Sequence, residues 1–122
     1  SETFRVWSGD DVRTLDLMEN HNAYGVITVS GNAVPDMVQD MVEAAATGDY
    51  ATAHVINERL TPFHRALFLE SNPGPANAAN NMLHRAGYEG RFAGVLRAPL
   101  SEPRKPTMIA LREALIGLEF RI

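Results

Sequence analysis

The chain opens on a β-prone run, Thr3-Phe4-Arg5-Val6-Trp7, which stops at the turn formers Ser8-Gly9-Asp10, so a short strand is predicted there. Behind it, Val12, Leu15 and Met18 recur at helical spacing. Either Asp10 or Asp11 can accept the free amides of a first helical turn, and a short helix is predicted over 11–20. Gly25 then precedes Val26-Ile27-Thr28-Val29, a largely apolar, β-branched run without clean alternation. That pattern predicts a strand buried on both faces, as in a parallel sheet. Ser30-Gly31-Asn32 reads as a turn, and Pro35 suits the first position of a helix.

From Pro35 the period is helical throughout. Met37, Val38, Met41, Val42 and Ala45 form one apolar stripe, Gly48 ends that helix, and Asp49 can cap the next. The next helix is predicted over 50–70, with Val55, Ile56, Leu60, Phe63, Leu67 and Phe68 facing inward. Pro62 lies inside it and predicts a kink or break. Asn72-Pro73-Gly74-Pro75 is a rigid turn, and a third helix follows over 75–86 on Ala78, Ala79, Met82 and Leu83, stopped by Gly87. Residues 88–99 read as an irregular connection. A last helix is predicted over 106–116, with Met108, Ile109, Leu111, Leu115 and Ile116 apolar. This order is lopsided, because two buried-type parallel strands do not make a stable sheet by themselves. The opening part therefore reads as the end of a larger α/β sheet.

Composition narrows the picture. A length of 122 residues is one ordinary domain, and 45% apolar with 21% charged residues is globular. A net charge of −4 argues against a nucleic-acid partner, which selects for a basic face. The absence of Cys excludes a disulfide scaffold, a thiolate zinc site and a Cys nucleophile, and fits a reducing, cytoplasmic setting. No apolar run approaches the roughly 20 residues of a membrane span. Glu2 and Arg5 with no apolar segment give no reason to expect a signal peptide. The histidines, His21, His54, His64 and His84, lack metal-ligand spacing and are expected at the surface or an interface, so no metal site is expected. Lys105 is the sole lysine, set between Arg104 and Pro106 in a polar, helix-initiating context that predicts a solvated amine.

The order of motifs resembles a known family. It is carried by Ser8-Gly9-Asp10-Asp11 after a strand, Gly25-Val26-Ile27-Thr28-Val29 leading to Asn32 and Pro35, and Gly48-Asp49-Tyr50 before Ala53. Leu60-Thr61-Pro62 before Leu67-Phe68, Asn72-Pro73-Gly74-Pro75 and Leu96-Arg97-Ala98-Pro99-Leu100 complete it. The whole chain resembles the C-terminal part of dihydrodipicolinate synthases, within the superfamily that includes N-acetylneuraminate lyase. It departs from the family at Asn20-His21-Asn22-Ala23-Tyr24, where a Gly pair is usual, at Asn77 in place of Lys, and at Ala98 in place of Leu.

The resemblance implies an α/β fold: the last two βα units of a (β/α)8 TIM barrel, within 1–34, followed over 35–122 by the end of the barrel and a three-helix C-terminal extension. A complete barrel needs about 250 residues, which accounts for the lopsided order. The implied activity is a lyase reaction in lysine biosynthesis, in which a barrel lysine forms a Schiff base with pyruvate and the adduct condenses with aspartate-semialdehyde. No external cofactor is implied, since the lysine imine is itself the electron sink. The family's lysine would precede this chain, so no catalytic residue is expected within it and the isolated chain is expected to be inactive.

Three substrate-binding candidates follow from the resemblance. Gly9 and Asp10 would line the barrel mouth, although helix capping is an equally ordinary role for Asp10, and Asp11 reads as structural. Ile27 would offer its backbone carbonyl to bound pyruvate while its side chain serves the core. The implied partners are pyruvate, an aldehyde, the upstream half of the barrel and further copies in a homotetramer, with no membrane or nucleic acid. A related pyruvate-dependent aldolase acting on another aldehyde or a sugar acid, or a non-catalytic helical interaction module, are the alternative readings.

Overall fold

The computed structural model describes residues 4–91 and 94–122. Thr3, at the head of the predicted first strand, and Phe92 and Ala93, within the predicted 88–99 connection, lie outside the described residues. A 3-10 turn, Asp11–Arg13, leads into α1 (Thr14–His21), and a second one, Ser30–Asn32, leads into α2 (Pro35–Ala46). Then follow α3 (Tyr50–Leu67), α4 (Gly74–Arg85) and α5 (Lys105–Gly117). The chain divides into two compact units, Ser1–Thr61 and Pro62–Ile122.

In the first unit, two extended segments lie side by side before α1 and before α2. The Tyr24 amide donates to the Val6 carbonyl (2.7 Å), Ser8 to Gly25 (2.8 Å) and Ile27 to Ser8 (2.8 Å). These bonds set a parallel register with Ser8 opposite Val26. The two predicted strands are nevertheless corrected here, because no strand forms among the described residues. Only Ser8 makes both bonds of a parallel pair, and a lone bridge is not a ladder. The predicted burial of the second segment fails for the same reason. Ile27, expected in the core, is 75% exposed, because a parallel strand is covered only when neighbours flank it on both faces.

Helix stops and starts follow local chemistry. Pro35 opens α2, whose Val38, Met41 and Ala45 pack inward with Leu15 and Met18 of α1. Gly48 takes φ +82° just past the end of α2, a conformation that side-chain-bearing residues rarely adopt. Asp49 then accepts the Thr52 amide (3.2 Å) and caps α3. Two predicted inward positions are corrected. Val12 belongs to the tighter 3-10 turn and is exposed, and Val55 sits about 100° off the stripe through Ile56 and Leu60.

α3 corrects the predicted break: it continues through Pro62 and ends at Leu67, leaving Phe68 beyond it and exposed. Proline denies the Glu58 carbonyl its usual donor, but a single missing bond does not stop a helix whose following turn is buried through Phe63 and Leu67. In the second unit α4 packs on α5, with Leu83, Leu111 and Leu115 fully buried. His64, expected at the surface or an interface, is instead buried within this unit. The exposed Ile109 and Ile116 lie seven positions apart on the face of α5 away from Leu111. Glu70 anchors the start of α5 by accepting the Arg104 amide (2.9 Å), and the Thr107 hydroxyl also donates to it. The Glu70 carboxyl is held below its usual range, chiefly by the Thr107 hydrogen bond and then by the Arg104 amide and charge. At the C-terminus the Arg121 amide donates to the Tyr88 hydroxyl (3.0 Å), whose ring meets Phe120 edge-on.

Candidate functional site

The three candidates share one anchor, Ser8. Its carbonyl accepts the Ile27 amide (2.8 Å), and its buried hydroxyl donates to the Asp10 carbonyl (3.0 Å) and lies 3.1 Å from the Thr14 hydroxyl. Thr14 in turn donates to the Asp10 carbonyl (2.8 Å). The backbone of Asp10 is thereby fixed from both sides, with Gly9 exposed between Ser8 and Asp10. Apart from its chain neighbours, no heavy atom of the described residues lies within 4 Å of where a Gly9 side chain would begin, so this stretch of backbone is open to a ligand.

Asp10 is the helix cap that local chemistry predicts. Its Oδ1 accepts the Val12 amide at 3.0 Å, while Oδ2 makes no hydrogen bond among the described residues. The free oxygen can accept from a hydroxyl or an ammonium, so capping and ligand contact are compatible. At Ile27 the amide is bonded, whereas the carbonyl has no partner among the described residues. A carbonyl only accepts, so its complement must carry a proton.

Asp11 has a different role from its neighbour. It is 3% exposed, and its carboxylate accepts the Val29 (2.9 Å) and Ser30 (3.0 Å) amides together with the Thr28 and Ser30 hydroxyls. The sequence singles out Asp11 as structural but gives no sign of these partners. They come together because the chain turns at Val29 into the 3-10 turn Ser30–Asn32, which brings the Thr28 and Ser30 hydroxyls and the Val29 and Ser30 amides around one carboxylate. Lys105 begins α5 and is exposed, as its polar context predicts.

A parallel pairing bridged by a helix, with polar residues gathered where the first segment ends, is the building unit of parallel α/β enzymes. The family model for the dihydrodipicolinate synthetase family matches residues 1–115, and the chain belongs to that family. It is 42% identical over 114 residues to a 4-hydroxy-tetrahydrodipicolinate synthase of Methanospirillum hungatei, covering 93% of this chain and 37% of the relative. Among solved structures it resembles the dihydrodipicolinate synthase of Aquifex aeolicus with a TM-score of 0.86 at 36% identity, covering 98% of this chain and 38% of that one. The chloride-inhibited synthase of Acinetobacter baumannii, solved in complex with pyruvate, matches with a TM-score of 0.82 at 31% identity, covering 95% of this chain and 38% of that one. These neighbours are TIM barrels, and the chain spans a little over a third of them. The family's relatives are lyases.

Proposed function

We propose that this chain is the C-terminal portion of a 4-hydroxy-tetrahydrodipicolinate synthase, comprising the last two βα units of its barrel and the helical extension. The enzyme condenses pyruvate with aspartate-semialdehyde in lysine biosynthesis, in the cytoplasm, as a homotetramer. The observation that carries this reading is the 42% identity to such a synthase along 93% of the chain. Residues 1–34 supply one flank of the barrel, and 35–122 close it and extend it.

The preceding part of the enzyme supplies the lysine whose amine condenses with the pyruvate ketone and releases water. The resulting imine draws off the electrons left when the pyruvate methyl loses a proton, and the enamine carbon attacks the aldehyde. The residues of this chain bind and orient. The unpaired Ile27 carbonyl accepts a proton-bearing group of the pyruvate adduct, such as a carbinolamine hydroxyl. Gly9 and the free Oδ2 of Asp10 face the second substrate, whose ammonium suits a carboxylate.

The test is a full-length enzyme made by joining this chain to the upstream portion of the Methanospirillum hungatei relative. Pyruvate consumption is followed with aspartate-semialdehyde and, separately, with sugar-acid aldehydes. Turnover with aspartate-semialdehyde is expected. Turnover confined to the sugar acids would replace this reading with that of a different pyruvate aldolase.

A further inference from the structure

We infer that Asp11 is a positioning residue that holds the Ile27 carbonyl in its place at the pyruvate site. This rests on the reading of Ile27 given under the proposed function. A buried carboxylate is costly unless its lone pairs are satisfied, and the source of the donors shows what the group holds. All four come from Thr28, Val29 and Ser30, the three residues that follow Ile27. The Thr28 hydroxyl also accepts the Gly31 amide (3.0 Å), which carries the grip into the turn before α2.

Ile27 is therefore held on both sides. Its own amide is bonded to the Ser8 carbonyl, and the chain immediately after its carbonyl is tied to Asp11. Between these anchors the carbonyl has no partner among the described residues and cannot turn away without breaking bonds to Asp11. Asp11 follows Asp10 directly, so one short backbone stretch presents a carboxylate outward at Asp10 and fixes the opposite segment through Asp11. A tie meant only for stability would need no such registration. Here it sets the spacing between the two groups assigned to the two substrates.

The experiment uses the same full-length enzyme, carrying Asp11→Ala, Asp11→Asn or Thr28→Val. Asparagine retains an oxygen for the two amides, and its NH2 group can donate to the two hydroxyls. Thr28→Val removes one hydroxyl at nearly constant volume and decides the matter if Asp11→Ala fails to fold. Misplacing one hydrogen-bond acceptor corresponds to about tenfold in affinity. Asp11→Ala and Thr28→Val are thus expected to raise the KM for pyruvate about tenfold, with folded content unchanged at the assay temperature. Asp11→Asn should restore most of it. An unchanged pyruvate KM in both variants, with only a lower melting temperature, would reduce Asp11 to a structural tie and overturn the inference. If the parent enzyme forms no adduct with pyruvate, the proposed function itself falls and the inference falls with it.

Discussion

Asp10 meets the backbone before it meets any ligand: its Oδ1 satisfies the Val12 amide at the head of the 3-10 turn. Replacing such a cap by Ala costs about 1 kcal/mol, whereas Asn keeps the accepting oxygen. Urea denaturation should therefore rank Asp10→Asn near the parent and Asp10→Ala below it. Glu70 gives a pH-dependent counterpart. Its folded carboxyl titrates below its unfolded one, chiefly because the Thr107 hydroxyl and then the Arg104 amide and charge favour the ionised form. A depressed acid contributes stability that is complete above the ordinary glutamate range and is lost as the pH falls through that range to the folded value. Glu70→Gln should flatten this acid-side loss, as read from urea midpoints at neutral and acidic pH. An unaltered pH profile would show that Glu70 does not couple to the start of α5. The Asp10 cap was legible in the sequence because its partner is two residues away. The Asp11 clasp was not, since its partners lie 17 to 19 residues on and only the fold brings them together.

At the scale of elements, legibility followed how much of the signal was local. The helices and their ends were readable from Pro35, Gly48 and Asp49, because caps and stops are short-range chemistry. The strands were readable only as segments that want neighbours, and within this chain each finds one. Pro62 misled because a proline's local cost can be outweighed by the burial of the turn that follows. Its ring is exposed and has little packing to lose, so Pro62→Ala should raise stability by about 1–3 kcal/mol in urea denaturation. A loss would mean that the ring shapes α3. Gly25 tests the pairing of the two segments. A methyl group there would come within 2.7 Å of the Trp7 indole, which lies over it and meets Tyr24 edge-on. Overpacking of this kind costs about 1–3 kcal/mol. Trp7 is the sole tryptophan, so Gly25→Ala should move its fluorescence emission directly. Unchanged emission would place the indole elsewhere.

Across the whole molecule, the family was legible from the order of short motifs, none of them decisive alone, and the match over residues 1–115 establishes it. The candidate site was legible as Gly9, Asp10 and Ile27 only through that resemblance. Ile27 looks like any core residue, and the group assigned to it is a backbone carbonyl, which no side-chain pattern encodes and which, like those of Val26 and Thr28, has no partner among the described residues. The exposed Ile27 side chain and the single parallel bridge fit a segment that is completed by the rest of a barrel. The central claim, that this chain binds and orients while the amine comes from the preceding part of the enzyme, is tested most directly by borohydride reduction with pyruvate and peptide mapping of the adduct. The joined full-length enzyme should be labelled on a lysine of the upstream portion, and the 122-residue chain alone should take up no label. Stoichiometric labelling of Lys105 in either protein would contradict the account.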